Sequence, residues 1–176
     1  KIFNQINKKI NPANIRLILP ENDSRVCDAK EELIKMGFQL IDNNDYKSYF
    51  DSFFEKSKKL KFSKNWPDEK LHSYILDPIN YGIFMLKEGY ADALIAGAIT
   101  PTAEVIRSGL RIIGVKNSST CLSSMFLMVA PNEEKVFSYA DCAVIPEPSD
   151  TQLADIAYDT AVNHKLLYFN FLNFLL

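Results

Sequence analysis

The sequence predicts an α/β protein with a largely parallel sheet. Short apolar runs alternate with segments of helical periodicity, and turn or capping residues stand at the junctions. This alternation is typical of βαβ units, in which a helix connects two parallel strands. The chain has 176 residues, of which 47% are hydrophobic, and this is enough for one domain or for one domain plus part of another.

Apolar runs predict five strands, at residues 16–19, 38–41, 94–96, 125–129 and 136–139. Helical periodicity predicts helices at residues 24–36, 77–88, 100–113 and 150–164. Residues 65–68 break the pattern and are expected to open a further helix that ends near Leu76. Pro20 closes the first strand, and Gly37 is the C-cap of the helix after it. Asp77 and Pro78 form a typical helix start, because aspartate is a good N-cap and proline suits the first helical position.

Two helices carry apolar stripes. Aromatic residues spaced i, i+3, i+4, i+7 and i+8 follow the second strand, namely Tyr46, Tyr49, Phe50, Phe53 and Phe54. They predict an amphipathic helix that packs on the core; a ligand-binding aromatic box is the alternative, but the spacing alone accounts for the pattern. The helix at residues 100–113 has an apolar stripe of its own, formed by Ala103, Ile106, Leu110 and Ile113.

Composition excludes several classes of function. The net charge of -2 gives no support for a nucleic-acid partner, and the lysines between residues 56 and 64 are typical of a solvated helix face. The three cysteines, Cys27, Cys121 and Cys142, lie far apart and there are two histidines, so a metal site is not expected. Sparse cysteines fit a reducing, cytoplasmic compartment. Neither a signal peptide nor a membrane span is expected.

The sequence suggests two domains and a tail. Residues 1–116 are predicted to form the first α/β domain, and residues 117–164 the start of a second. Residues 165–176 are rich in Leu, Phe and Asn and sustain no period of 2 or 3.6. We expect this apolar tail to be aberrant, from a premature stop or a frameshift, or else to be buried against the body.

The segment after the strand at residues 94–96 predicts an anion site. Gly97 and Ala98 are small enough for a ligand to approach the backbone, and Thr100 is placed to cap the next helix. Thr102 then offers a hydroxyl and a free N–H at the positive helix end, and Arg107 a fork suited to phosphate oxygens. The alternative is that Arg107 pairs with Glu104 on a solvated face, and the spacing leaves both open. Arg111 is expected to be solvated.

Other candidate sites are weaker. Residues 20–25 place acidic groups near a helix start, which is explained by helix capping alone or by a second functional turn. Ser123 and Ser124 have no histidine placed to activate them, and His72 and His164 fit ordinary surface or packed positions. Asp141 follows a strand, where functional carboxylates often lie.

Taken in order, these segments resemble the phosphate acetyltransferase and phosphate butyryltransferase family, with the acetyl branch fitting better. The matching segments are residues 20–25 (PENDSR), 77–82 (DPINYG), 89–98 (GYADALIAGA), 102–107 (TAEVIR), 110–114 (LRIIG), 123–128 (SSMFLM), 140–144 (ADCAV) and 152–157 (QLADIA). They cover roughly residues 15–162. No single motif is decisive, but their number and order are.

The resemblance implies a reaction and a fold. The family transfers an acyl group between phosphate and the thiol of coenzyme A, which is a substrate rather than a resident cofactor. It implies two three-layer α/β domains of the isocitrate/isopropylmalate dehydrogenase kind, with the second incomplete here, and a homodimer. It also implies that Arg107 binds the phosphate group, that Thr102 lines the same pocket, and that Arg25 stands at the cleft entrance.

The chain also departs from the family pattern. The general base and the Ser-Arg pair that the resemblance places near the family's C-terminus have no counterpart, and lysines stand where an arginine is expected between residues 54 and 61. The chain alone is therefore expected to have little or no activity. An acyltransferase part and an inactive remnant or phosphate-binding module are the competing functions. Nucleotide binding is disfavoured, because no G-x-G-x-x-G segment is present.

Overall fold

The computed structural model describes residues 11–41, 46–116, 119–131, 135–142 and 144–172. These residues divide into two compact units, 11–114 and 115–172. We call them the first and the second unit.

The first unit is built around a short parallel sheet. Its strands are β1 (Arg16–Ile18), β2 (Gln39–Leu40) and β3 (Ala93–Leu94), in the order β2-β1-β3. Its helices are α1 (Ser24–Lys35), α2 (Tyr46–Ser57), α3 (Asp68–Leu76), α4 (Pro78–Lys87) and α5 (Thr102–Ile112), and turns of 3-10 helix lie at Pro12–Asn14 and Lys61–Ser63. Both strand pairings are parallel, so the predicted α/β class with a parallel sheet is confirmed.

Local sequence signals set the helix ends. Asp23 caps α1 by accepting a hydrogen bond from the N–H of Arg25, and Asp77 caps α4 in front of Pro78, as predicted. Gly37 and Gly89 follow α1 and α4 with φ of 91° and 76°, which glycine adopts without strain.

The aromatic stripe of α2 forms the centre of the core. Phe53 is fully buried and stacks on Phe84 with ring centroids 5.4 Å apart, while Tyr81 meets it edge-on at 5.1 Å. Tyr49 packs against Tyr90 at 4.3 Å. The packing prediction is confirmed for these side chains, whose area burial and ring geometry both stabilise the core.

The buried face of α5 differs from the predicted one. Leu110 and Ile113 are 40% and 49% exposed, whereas Ile112 is 1% exposed and belongs to the core. The helix has apolar residues on more than one face, and α4 packs on the face that carries Ile112. Lys87 of α4 donates to the carbonyl of Ile112, which fixes this orientation.

The second unit consists of a hairpin and one long helix. Strands β4 (Met125–Val129) and β5 (Val136–Ala140) pair antiparallel, and helix α6 (Asp150–Leu172) packs on β5. The predicted end of this helix at residue 164 is wrong, because the segment after it holds no glycine or proline that would stop a helix. Residues 173–176 of the predicted tail lie outside the described residues. None of the described helices combines the length and apolar character needed to cross a membrane.

One face of the hairpin is apolar and exposed. Phe126 opposes Tyr139 and Met128 opposes Phe137, and all four side chains are about half exposed or more. Such a face is an association or aggregation surface in an otherwise ordinary domain.

Replacement of Gly82 tests how closely α4 approaches the sheet. A Cβ at this position would lie 2.8 Å from Leu94 Cδ1 and 3.2 Å from Ile18 Cγ2. Leu94 can rotate but buried Ile18 cannot, so Gly82→Ala should destabilise the first unit by about 1–2 kcal/mol in denaturant unfolding followed by Trp66 fluorescence. Gly109→Ala, in open space on α5, should instead stabilise it by about 0.5–1 kcal/mol. Equal effects of the two variants would contradict this packing.

Candidate functional site

The site begins where β1 and β3 end side by side. The N–H of Ile95 donates to the carbonyl of Ile18 at 2.9 Å, so the two strands run in register to their carboxyl ends. The loops that follow both strands therefore lie at one edge of the sheet. This is the edge at which parallel α/β sheets usually place their ligands.

Glu21, in the loop after β1, binds the loop after β3. Its Oε2 accepts from the N–H groups of Gly97 and Ala98 at 2.8 and 2.7 Å. Its Oε1 accepts from those of Ile99 and Thr100 at 3.1 and 2.7 Å. Four successive amides thus converge on one carboxylate, an arrangement that positive φ at Gly97 helps to form. We call residues 97–100 the amide loop.

The Glu21 carboxylate is buried yet charged. Its side chain is among the buried polar groups, and burial alone would raise its pKa. Hydrogen bonds from the amides of Thr100, Ala98 and Ile99 and from the Thr100 hydroxyl outweigh burial and lower the pKa to about 2. The sequence prediction that Gly97 and Ala98 leave room for a ligand is therefore corrected, because an internal anion already uses their N–H groups.

Arg25 binds the same loop from outside. Its guanidinium donates to both carboxylate oxygens of Asp23 at 2.8 and 3.1 Å, and to the carbonyl of Ala98 at 2.8 Å. Asp23 raises the pKa of Arg25, so the side chain stays protonated. Capping of α1 by Asp23 is confirmed, whereas a functional role of residues 20–25 stays a prediction. Glu21 and Arg25 of this segment contact the amide loop.

Helix α5 starts later than predicted. Its N-cap is Pro101, whose side chain has no acceptor, so no side chain caps the helix. Thr100, predicted as the cap, lies one residue earlier and donates its N–H to Glu21. The N–H groups of Thr102 and Ala103 make no hydrogen bond with any residue that the structure describes. They are the orphan donors expected at a helix N-terminus.

A polar cleft of about 190 Å³ lies along α5. It is lined by Asp77, Ile79, Asn80, Thr100, Glu104, Arg107, Ser108 and Arg111. Within the described parts of the chain, the Arg107 guanidinium has no hydrogen bond and no ion pair. The pairing with Glu104 that the sequence left open is therefore not formed, and no described residue occupies the guanidinium donors of Arg107.

Thr102 and Arg107 do not converge as the sequence suggested. Five residues of helix separate them by about 7.5 Å along the axis and by roughly 140° around it. Thr102 is exposed and is not part of the cleft lining, where Thr100 stands instead. The structure thus brings Arg107 together with Thr100, and it places Arg25 on the amide loop.

Sequence reasoning missed Ser108 and the cleft position of Arg111. Glu104, Arg107, Ser108 and Arg111 share one helix face by their i, i+3, i+4, i+7 spacing, and this signal was available. Arg111 also lies near the buried Tyr74 hydroxyl, whose pKa is raised by burial and lowered less by Ser108 and Arg111. Arg111 is exposed, as expected, but it adds a second cation to the cleft.

The remaining candidates have structural partners. Asp141 accepts from the N–H and hydroxyl of Ser124 and from the N–H groups of Val144 and Ile145, so it organises its own loop. His164 Nδ1 lies 2.7 Å from Ser138 Oγ, between β5 and α6. Neither group belongs to the cleft of the first unit.

Fold and cleft define an α/β protein with two arginines and two hydroxyls in a cleft beside the carboxyl edge of a parallel sheet. The family described as "Phosphate acetyl/butaryl transferase" matches residues 4–170. The chain therefore belongs to the phosphate acetyl/butyryl transferase family, as the sequence resemblance indicated.

Individual relatives agree with this assignment. The chain is 36% identical over 158 residues to a phosphate acetyltransferase of Thermoanaerobacterium thermosaccharolyticum and 33% identical over 159 residues to one of Acetivibrio thermocellus. Each match covers 86% of this chain and 47% of the relative, so the chain spans about half the length of these relatives. A phosphotransacetylase structure from Streptococcus pyogenes matches 94% of this chain and 58% of its own, with a TM-score of 0.80 and 28% identity.

The Glu21 interaction makes the stability of the first unit depend on pH. Its pKa falls from 4.5 in a free side chain to about 2 on folding, so the carboxylate stabilises the fold fully above about pH 4.5 and loses that effect towards pH 2. Glu21→Gln should lower the free energy of unfolding by about 2–3 kcal/mol at pH 7, because a single acceptor oxygen replaces two. The gap in the free energy of unfolding between wild type and Glu21→Gln should narrow as the pH falls from 4.5 to 3.

Denaturant titrations at pH 7, 5, 4 and 3, followed by Trp66 fluorescence, measure this gap. Glu31→Gln on the exposed face of α1 is the matched control and should change little at any pH. A gap between wild type and Glu21→Gln that stays constant with pH would contradict the charged state of Glu21.

Proposed function

We propose that this chain takes part in acetyl transfer between coenzyme A and phosphate, with Arg107 binding the phosphate group. The observation that carries the proposal is an arginine in a polar cleft whose guanidinium bonds to no described residue, in a chain of the phosphate acetyl/butyryl transferase family. A guanidinium fork matches the oxygens of a phosphate group and keeps its charge at every physiological pH.

The reaction gives Arg107 a defined task. The coenzyme A thiolate attacks the carbonyl carbon of acetyl phosphate, a C–S bond forms, and the bond between that carbon and the phosphate oxygen breaks. Negative charge gathers on the departing phosphate, where Arg107 stabilises it by charge-assisted hydrogen bonds. The thiol proton passes to a general base, for which no residue of this chain is proposed.

The other residues are proposed in separate roles. Arg111, Thr100 and Ser108 line the cleft beside Arg107 and supply a second cation and polar groups around the bound anion. Thr102 lies outside the cleft lining, so we propose that it contacts a part of the substrate beyond the phosphate. Arg25, bonded to Asp23 and Ala98, is proposed to act through the amide loop and not by touching substrate.

The family resemblance extends the proposal to the larger assembly. We propose an isocitrate/isopropylmalate dehydrogenase-like arrangement with a first domain at residues 1–116 and a second beginning at 117, a homodimer, and a cytoplasmic location. The cysteines of the chain are free thiols, which suits a reducing compartment.

A phosphate-binding protein without catalysis is the second candidate. It is favoured by one observation: the cleft is lined by two arginines and two hydroxyl groups, which suffice to bind an anion. Phosphate binding is common to both candidates, whereas turnover separates them.

Arg107→Ala tests the proposed site. Loss of one guanidinium should weaken phosphate binding by about 10- to 100-fold, since hydrogen bonds to charged groups contribute about 1.5–3 kcal/mol. Arg107→Lys keeps the charge but loses the fork, so its phosphate affinity should lie between those of Arg107→Ala and wild type. Lys59→Ala removes one exposed positive charge elsewhere and should leave binding unchanged.

Calorimetric phosphate titration and phosphate-dependent release of coenzyme A from acetyl-coenzyme A should be measured on the same folded protein. Turnover that is lost in Arg107→Ala supports the acyltransferase. Binding without turnover supports the second candidate. Wild-type protein that does not bind phosphate, or Arg107→Ala that binds as well as wild type, would overturn the assignment of this site.

A further inference from the structure

We propose that Glu21 is a positioning residue of the phosphate site, because its carboxylate fixes the amide loop and the loop fixes the helix that carries Arg107. The inference rests on the proposed function for the identity of the ligand. The contacts that carry it lie within the first unit and do not involve the proposed ligand.

The amide loop has none of its four N–H groups left for an external ligand. Four successive N–H groups that would otherwise form an anion site are bonded to the two oxygens of Glu21 at 2.7–3.1 Å. The carboxylate is buried, so water does not compete for these donors. A substrate anion that used the loop amides would have to displace a side chain held by four hydrogen bonds.

The amide loop is also held through one of its carbonyl groups, that of Ala98. Arg25 donates to the carbonyl of Ala98 while its charge lies near the Glu21 carboxylate, which helps to keep the pKa of Arg25 raised. Asp23 holds the Arg25 guanidinium in place. The amide loop is thus bonded through its N–H groups to Glu21 and through a carbonyl to Arg25.

Thr100 belongs both to the amide loop and to the lining of the cleft. It donates its N–H to Glu21, and it also lines the cleft with Arg107. Only Pro101 separates Thr100 from the first residue of α5, and proline has a nearly fixed φ. The helix therefore leaves the loop in a set direction, and Arg107, less than two turns along it, takes its position from there.

The substitution Glu21→Gln isolates this role with little change of size. A glutamine offers one acceptor oxygen, and its NH₂ group would face the donors of the loop. At least two of the four loop amides would then lack an acceptor, and the loop would relax. If the loop sets the position of Arg107, phosphate affinity must fall although Glu21 itself does not touch the proposed ligand.

The experiment combines two measurements on the whole chain. Amide hydrogen exchange reports the order of residues 97–100, and titration with inorganic phosphate reports the cleft. For Glu21→Gln we expect amide exchange at residues 97–100 to accelerate by about tenfold or more, and phosphate affinity to fall by about tenfold. Glu31→Gln, the same change on exposed α1, should alter neither quantity.

Two further variants separate positioning from stability. Leu33→Ala removes a side chain packed against Leu17, Leu19 and Val26, so it destabilises the same unit away from the cleft and should leave phosphate affinity unchanged. Glu21→Ala leaves room for a small carboxylate, and added formate should restore part of its phosphate affinity. Formate should not improve binding by wild type.

The possible results distinguish failure of the positioning role from failure of the proposed function. Unchanged phosphate affinity in Glu21→Gln, or an equal loss in Leu33→Ala, would overturn the positioning role. Wild-type protein that does not bind phosphate overturns the proposed function instead. In that case amide hydrogen exchange still tests whether Glu21 orders the loop. Unchanged exchange at residues 97–100 in Glu21→Gln would overturn that role, and faster exchange would support it.

Discussion

A buried carboxylate bonded to four successive backbone amides organises the sheet edge of this protein. A buried charge is costly unless hydrogen bonds replace its hydration, and the amide loop provides them to Glu21. The interaction ties the loop after β1 to the loop after β3 and so joins two parallel strands beyond their last ladder bond. The start of α5, and with it the cleft, follows from this link.

The cleft takes its polar character from one helix face and its position from the loop. Arg107 and Arg111 lie one turn apart on α5, and Thr100, the last residue of the amide loop, lines the same cleft. Because Glu21 satisfies the loop amides, the donors left for an external anion are the cleft side chains and the N–H groups of Thr102 and Ala103 at the start of α5.

Most of the fold of the first unit could be predicted, because its signals are local. The Asp77-Pro78 start and the aromatic spacing of α2 each specify structure within a few residues. The candidate role of Arg107 was inferred from a local signal of the same kind and stays a prediction. The Glu21 contact could not be predicted, since the residues that bond to it lie 76–79 positions away and meet only when β1 pairs with β3. The buried face of α5 was missed because the helix offers more than one apolar side, and tertiary packing chose Ile112.

The central claim is that phosphate binds to side chains of α5 while Glu21 keeps the loop amides. A crystal structure of the chain soaked with phosphate tests it most directly. The reference is a matched crystal that contains neither phosphate nor sulfate. We predict a phosphate within hydrogen-bond distance of the Arg107 guanidinium, and a Glu21 carboxylate that still accepts from residues 97–100. A phosphate seated on the loop amides, with Glu21 displaced, would contradict the account.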